Sequence, residues 1–222
     1  MNNTGKLVEI MDTSLRDGEQ TPSVAYTPQE KLQIANMLLE KLHVNRIEVA
    51  SARVSEGEKE SVRRIIEWAG GKGYENRVEI LGFVDNHRSV DWIRSTGARV
   101  INLLTKGSER HCRVQLRKTP QEHFAQVGAE IDYAVSQGLN VNVYLEDWSG
   151  GMRDSFSYVH QFVTELLKHQ VDRIMLPDTL GVLNPFVLER YLDWMYAAFP
   201  DLRLDFHGHN DYGMATANAL IA

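Results

Sequence analysis

The stretch TPQEKLQIANMLLEKLHVNRIEVAS, residues 27–51, contains a helix start, an apolar helical face and a short β-branched segment in succession. Thr27 and Glu30 fit a capping box around Pro28, and proline suits the first position of a helix. Apolar residues then recur at helical spacing, at Leu32, Ala35, Leu38, Leu39 and Leu42. The stretch therefore predicts a capped helix that leads directly into a strand.

The same unit recurs along the chain. Helix starts of the same kind occur at Thr119-Pro120 and Asn184-Pro185, and several of the predicted strands are almost wholly apolar, as in a parallel sheet covered on both faces. The predicted strands are 7–12, 46–51, 78–84, 99–105, 141–147, 173–178 and 203–209.

Two architectures suit such a β-α alternation, a doubly wound open sheet and a TIM (β/α)8 barrel. No G-x-G-x-x-G follows the first predicted strand, which disfavours a dinucleotide-binding open sheet. We therefore expect an α/β TIM (β/α)8 barrel that is incomplete at its C-terminus, with about seven β-α units.

The composition excludes several classes of protein. The chain has 222 residues, a formal net charge of -6, one cysteine (Cys112) and no apolar run of membrane-spanning length. Acidity disfavours nucleic-acid binding, and one thiol forms no disulfide within the chain. The N-terminal residues lack the apolar region of a secretory signal. We expect a cytoplasmic protein with neither nucleic-acid nor membrane partners.

Polar and titratable side chains gather where the predicted strands end, which in both architectures is where ligands bind. They include Arg16, Asp17, Glu48, Ser51, Lys106, Ser108, Arg110, His111, Glu146, Asp147, Asp178, Thr179, His207 and His209. The segment 106–118 is strongly basic, which suits either a solvated face or the steering of an anionic substrate. Together the strand ends predict one site.

The motif HGHND, residues 207–211, is the sharpest part of that site. His207 and His209 are two residues apart and share one face of a strand. Asp17 lies at the same end of the first strand, which would neighbour the eighth strand in a closed barrel. Two imidazoles and a carboxylate suit Zn²⁺, Mn²⁺ or Fe²⁺, and Mg²⁺ with added waters. The alternatives are histidines that are satisfied in the core or on the surface, and a solvated Arg16–Asp17 pair.

DTSLRDGEQ (12–20) and HGHNDYGMATANALIA (207–222) together resemble the metal-dependent Claisen-condensing enzymes with a (β/α)8 catalytic barrel. EDWSGGMRDS and LPDTLGVLNP match further blocks in the same order, so that the resemblance covers nearly the whole chain. The family includes 2-isopropylmalate, homocitrate and citramalate synthases and the related hydroxymethylglutaryl-CoA lyase.

The resemblance implies a role for each matching residue. Asp17, His207 and His209 would hold a divalent metal ion, Mg²⁺, Mn²⁺ or Zn²⁺. Arg16 would stabilise the developing oxyanion, and Glu146 would be the catalytic carboxylate near the acetyl-CoA methyl group. The substrate-binding residues would be His111, Thr179 and Glu48.

Within the family, the residues favour a 2-isopropylmalate synthase, an acyltransferase of leucine biosynthesis that condenses acetyl-CoA with 2-oxoisovalerate. Asp17 in place of Glu and His111 within SERH point that way. Homocitrate or citramalate synthase, an aldolase or lyase such as hydroxymethylglutaryl-CoA lyase, and an inactive fragment are the alternatives. The full-length enzyme is expected to be a homodimer.

Residues 1–222 are expected to be the N-terminal catalytic barrel domain, without the eighth strand and without a C-terminal subdomain or regulatory domain. Open strand edges favour association. We therefore expect the chain alone to keep its three metal ligands, to condense substrates at no useful rate, and to self-associate or need a second chain.

Overall fold

The computed structural model describes residues 8–222, in which strands and helices alternate. The strands are β1 (Met11–Asp12), β2 (Arg46–Ser51), β3 (Val78–Phe83), β4 (Val100–Lys106), β5 (Asn140–Glu146), β6 (Arg173–Asp178) and β7 (Leu204–Gly208). The helices are α1 (Pro28–Asn36), α2 (Glu56–Gly70), α3 (Arg88–Ser95), α4 (Glu109–Val114), α5 (Pro120–Ser136), α6 (Trp148–Asp154), α7 (Phe156–Leu166), α8 (Pro185–Ala198) and α9 (Ala215–Ile221).

The predicted fold class is confirmed. The seven strands of the described residues form a parallel sheet in chain order, β1 to β7, with helices between them, as in an incomplete (β/α)8 barrel. Within residues 8–222, no helix is both long and apolar enough to cross a bilayer.

The first strand is shorter than predicted. Of the predicted range 7–12, Leu7 lies outside the described residues, and β1 pairs with β2 only at Met11 and Asp12. The Ile10 N–H donates instead to the side chain of Asn45 at 2.9 Å. This side-chain hydrogen bond takes the place of a strand partner, so regular pairing begins one residue later.

The chain divides into two compact units, which we call the first unit (Met1–Gly82 and Arg88–Ile101) and the second unit (Phe83–His87 and Asn102–Ala222). The core of the first unit includes the fully buried side chains of Ile47, Val49, Ile65, Ile80 and Ile93. In the second unit, Val143, Leu145, Ile174 and Leu176 of β5 and β6 are equally buried, and the rings of Phe124 and Phe162 stack at 4.7 Å.

The predicted helix starts are confirmed by their caps. Thr27 with Glu30, and Thr119 with Glu122, form complete capping boxes, and Asn184 caps α8. The apolar face of the first helix departs from the prediction at one residue. A π-helical turn, Met37–Lys41, follows α1 and changes the residues-per-turn, so that Leu42 is 66% exposed.

Two backbones approach each other closely in the second unit. A Cβ atom on Gly151, in α6, would lie 2.1 Å from the carbonyl oxygen of Gly107, between β4 and α4. That carbonyl belongs to the backbone and has no flexible side chain that could move aside. Glycine is therefore required here by space.

Gly151→Ala is expected to lower the free energy of unfolding by about 2 kcal/mol, because overpacking a core has costs of this order. Urea denaturation measures the change. Gly70→Ala in the last turn of α2 is the control, since a Cβ there meets nothing within 4 Å and alanine is expected to be neutral or slightly stabilising. Equal stability of Gly151→Ala and the parent would contradict the proposed close contact.

His123 is a buried histidine that fixes the end of β4. Its Nε2 atom accepts the N–H of Lys106 at 3.2 Å, and its ring lies 5.2 Å from that of Phe162. Burial, followed by the nearby charge of Lys118, lowers the pKa of His123 from 6.5 to about 4. The folded protein therefore holds this imidazole neutral.

This pKa shift predicts an acid-labile fold. The unfolded chain takes up a proton on His123 as the pH falls below 6.5, whereas the folded chain does so only near pH 4. Stability that is present above pH 6.5 is therefore lost progressively toward pH 4. Between pH 7 and 4.5, the parent is expected to lose about 2–3 kcal/mol more unfolding free energy than His123→Gln, by urea denaturation. An equal loss in both proteins would contradict the buried neutral state.

Candidate active site

A tight turn after β1 presents Arg16 and Asp17 in the first unit. The carbonyl oxygen of Thr13 accepts the N–H groups of Arg16, Asp17 and Gly18 at 3.1, 2.8 and 3.2 Å. Leu15, which lies between Thr13 and Arg16 in the sequence, is 1% exposed and anchors the turn in the core. The backbone of the two charged residues is thus held by one acceptor and one buried side chain.

The guanidinium of Arg16 bonds to two carboxylates. Its Nη1 donates to Asp17 Oδ1 at 2.9 Å, and its Nε donates to the carboxylate of Glu48. Glu48 is fully buried in β2, where the register with β3 shifts between Glu48 and Ala50. Irregularities of this kind re-aim strand side chains. Among residues of the first unit, therefore, three of the predicted site residues meet.

Glu146 ends β5 in the second unit and forms an ion pair with Lys106. The Lys106 backbone is held on both sides, since its N–H donates to His123 and its carbonyl accepts the Tyr158 hydroxyl at 2.8 Å. The paired side chains are 16% and 23% exposed, for Lys106 and Glu146 respectively. Glu146, the catalytic carboxylate predicted from the sequence, thus has a lysine partner in the last residue of β4.

Asp147 is the centre of a second cluster, and the sequence prediction gave it no role. Its carboxylate accepts the Ser108 hydroxyl at 2.7 Å and lies 3.5 Å from Nε2 of His111. Its own N–H donates to the hydroxyl of Thr179 at 2.8 Å. Two of the predicted substrate-binding residues, His111 and Thr179, therefore contact the same aspartate.

The backbone of Asp147 is in the left-handed region, with φ at 63°. Aspartate tolerates this conformation better than most residues because its side chain bonds locally. A Cβ on Gly150 would lie 2.5 Å from Asp147 Oδ1, so the glycine leaves room for the carboxylate. The EDWSGG segment is thus shaped around one buried acid.

Asp178 joins the end of β6 to the histidine motif. Its buried carboxylate accepts the Ser149 hydroxyl at 2.7 Å and the Leu183 N–H at 2.8 Å. Its backbone carbonyl accepts the N–H of His209 at 3.3 Å. The position of His209 is therefore set by the adjacent strand end.

The two histidines of HGHND meet at their Nε2 atoms. These nitrogens are 3.3 Å apart, and the His207 ring packs edge-on to Tyr144 with centroids 6.0 Å apart. β7 ends at Gly208, so His209 lies just beyond the strand rather than within the predicted 203–209. Two converging imidazole nitrogens are a donor pair that suits a divalent transition metal ion.

A cavity of about 270 Å³ lies between α4 and α6, with His111, Arg110 and Asp147 among its lining residues. Two of the arginines around it are neutralised locally. Arg113 pairs with Glu109 at 2.7 Å, and Arg153 pairs with Asp154 at 2.8 Å. Within the basic segment 106–118, Arg113 is thus paired with an acid of the same segment, whereas Arg110 lines the cavity.

Comparison with known proteins gives the family. The HMGL-like family matches residues 7–222. The 2-isopropylmalate synthase of Sulfurisphaera tokodaii is 32% identical over 97% of this chain and 54% of its own length. The (R)-citramalate synthase of Methanocaldococcus jannaschii is 35% identical over 97% of this chain and 42% of its own. A homocitrate synthase of Methanopyrus kandleri is 34% identical, with coverages of 97% and 52%.

The chain therefore spans about half the length of these relatives. Among solved structures, the HMG-CoA lyase of Bacillus subtilis superposes with a TM-score of 0.75 at 23% identity, over 96% of this chain and 72% of the lyase. At that identity the likeness shows the barrel fold. With the family match over nearly all of its residues, the chain belongs to the HMGL-like family.

Proposed function

We propose that this chain carries the catalytic barrel of an acyltransferase that condenses acetyl-CoA with a 2-oxo acid. The preferred acceptor is 2-oxoisovalerate, which gives 2-isopropylmalate in leucine biosynthesis. The observation that carries the proposal is the convergence of His207 and His209 on one point, with Nε2 atoms 3.3 Å apart. The synthase names of relatives at 32–35% identity support the same class of reaction.

Asp17, His207 and His209 are the proposed ligands of one divalent ion, Mg²⁺, Mn²⁺ or Zn²⁺. When bound, such an ion supplies Lewis-acid polarisation of the acceptor carbonyl. The Arg16 guanidinium donates to Asp17 and restrains this carboxylate. The Asp178 carbonyl does the same for the backbone of His209. A hydrogen bond to a ligating carboxylate, such as that of Arg16 to Asp17, orients the ligand and is worth about 10–100-fold in metal affinity.

Arg16 is the proposed electrophile. A guanidinium keeps its charge at any physiological pH and can stabilise the negative oxygen that develops on the acceptor during condensation. Glu48, which is buried and bonded to Arg16 Nε, orients that group in addition to its proposed role in substrate binding.

Glu146 is the proposed proton acceptor. Its carboxylate would take a proton from the methyl carbon of acetyl-CoA, and the resulting carbanion would form a bond to the carbonyl carbon of the 2-oxo acid. The carbonyl π electrons would move to the oxygen, which then takes up a proton to become the hydroxyl group of the product. Lys106 holds the carboxylate before the substrate enters. Hydrolysis of the thioester then releases CoA and the dicarboxylic product.

Thr179 and His111 are the residues proposed to bind the acceptor, the 2-oxo acid. The Thr179 oxygen accepts a hydrogen bond from the Asp147 N–H, which leaves its own O–H to donate to a carboxylate. His111 is held at 3.5 Å from the Asp147 carboxylate. One aspartate therefore sets the positions of both groups.

The metal site is tested by His209→Ala. Loss of one of three ligands is expected to weaken Mn²⁺ binding at least about 100-fold, measured by calorimetric titration. The melting temperature is expected to stay within a few degrees of the parent, because the side chain is not part of the core. His160→Ala, an exposed histidine on α7, is the control and should bind Mn²⁺ like the parent. Equal Mn²⁺ binding by His209→Ala would contradict the proposed ligands.

The reaction is tested by following CoA release with a thiol reagent. Release, at whatever rate, is expected to require both acetyl-CoA and a 2-oxo acid. 2-Oxoisovalerate is expected to give a larger kcat/KM than pyruvate or 2-oxoglutarate. The same order is expected for binding of the three acids in the presence of Mn²⁺, which calorimetry measures even when turnover is slow.

The synthase alternatives give different results in this assay, whereas the lyase reaction leaves CoA bound as acetyl-CoA and is followed separately through its second product, acetoacetate. A preference for pyruvate would indicate a citramalate synthase, and a preference for 2-oxoglutarate a homocitrate synthase; either would contradict the choice of acceptor alone. Cleavage of hydroxymethylglutaryl-CoA in the absence of a 2-oxo acid would contradict the condensing function itself.

A further inference from the structure

Lys31 is a buried lysine in the first unit. It is 1% exposed, although lysine side chains are almost never fully buried unless they are paired. Its Nζ atom lies 2.6 and 2.8 Å from the two carboxylate oxygens of Glu58 and 2.6 Å from Oε2 of Glu19. It also donates to the carbonyl oxygen of Leu15 at 3.4 Å. One ammonium group thus contacts two separate segments, the turn after β1 at Leu15 and Glu19 and the first turn of α2 at Glu58.

Two of these contacts flank the charged turn. Leu15 immediately precedes Arg16, and Glu19 follows Asp17 by two residues. The second oxygen of Glu19 accepts the N–H of Tyr26 at 3.0 Å, which ties the far end of the loop to the same carboxylate. Lys31 therefore holds the turn on both sides of Arg16 and Asp17.

The third contact connects the turn to the helices. Lys31 is in α1, and Glu58 is in the first turn of α2, where the Ser55 hydroxyl caps the helix by accepting the Glu58 N–H at 3.0 Å. Burial raises the pKa of Glu58, and the Lys31 ammonium opposes this shift. A buried ion pair is seldom a net source of stability compared with apolar packing. This cluster is more easily explained by the geometry that it imposes.

We propose that Lys31 is a positioning residue: its ammonium group fixes the turn between Leu15 and Glu19, and thereby the places of the metal ligand Asp17 and of Arg16. The inference deepens the proposed function and rests on it for the roles of Asp17 and Arg16. The anchoring of the turn itself rests on the hydrogen bonds of Lys31 alone.

The test uses two variants and a matched control. Lys31→Met keeps an unbranched side chain that is one heavy atom shorter, but removes the cation that contacts Glu58 and Glu19. Lys31→Met/Glu58→Gln also removes the most buried of the two acids, so that stability is expected to recover while the anchor of the turn stays absent. Lys72→Met is the control, because Lys72 also pairs with a glutamate, Glu40, at 2.7 Å but is 48% exposed.

Hydrogen exchange of residues 13–20, followed by mass spectrometry, is the first readout. The amides of Arg16, Asp17 and Gly18 donate to Thr13, and their exchange is expected to become about 10-fold faster in both Lys31 variants. Mn²⁺ affinity is the second readout. It is expected to fall about 10-fold or more in both Lys31 variants, and to stay low in the double variant even where its melting temperature returns toward the parent's. Lys72→Met should change neither.

The outcomes separate this proposal from the function on which it rests. Unchanged exchange in the Lys31 variants overturns the positioning role. Recovery of Mn²⁺ affinity together with melting temperature in the double variant also overturns it, because the residue would then act through stability alone. If the parent binds no Mn²⁺, the proposed metal site fails; faster exchange then still supports the anchor, and unchanged exchange overturns it.

Discussion

The charge of Arg16 is the constraint on which the site of the first unit depends. Glu48 is fully buried, and an isolated carboxylate in such surroundings would be costly. Arg16 compensates that charge and donates to Asp17 with its other edge. The turn after β1, the register shift in β2 and the direction of the guanidinium are consequently coupled. A change in any of them would disturb the hydrogen bonds that join Arg16 to Glu48 and Asp17.

The second unit holds its acids by a different arrangement. Asp178 is fully buried, and its carboxylate accepts hydrogen bonds from the Ser149 hydroxyl and the Leu183 N–H. Asp147 is satisfied by Ser108 and lies beside His111. Uncharged hydrogen-bond donors satisfy a buried carboxylate when the backbone holds them in place. No flexible lysine or arginine side chain is needed for these contacts. The two acids are suited to hold Thr179, His111 and His209 in place.

Much of the fold could be predicted because its signals are local. The capping boxes at Thr27 and Thr119 and the apolar strands depend on neighbours in sequence, and the predicted strand bounds agree with the observed ones to about one residue, apart from β1. The short length of β1 could not be predicted, because it depends on a hydrogen bond between Ile10 and Asn45, which are 35 residues apart in the sequence. The π-helical turn that exposes Leu42 likewise leaves no clear pattern in the sequence.

The candidate site was predictable where a motif was dense. HGHND indicated that His207 and His209 could meet, and their Nε2 atoms are 3.3 Å apart. Asp147 and Lys31 carried no such signal. The role of Asp147 depends on a left-handed backbone at the end of a strand, and that of Lys31 on contacts with Glu58 and Glu19, which come from different segments. The periodicity of a helical sequence does not distinguish a buried charged residue from an exposed one.

The carboxylates of the site differ in how easily they could change partners during a reaction. Glu48 and Asp178 are fully buried. Movement of Glu48 would break its ion pair with Arg16, and movement of Asp178 would break two hydrogen bonds at once. Glu146 is partly exposed, and its side chain is paired with a flexible lysine, Lys106, that is itself partly exposed. A base must release its resting partner, accept a proton and later return it. Among these three acids, Glu146 has the environment that allows such an exchange at the lowest energetic cost, which supports its proposed role as the proton acceptor.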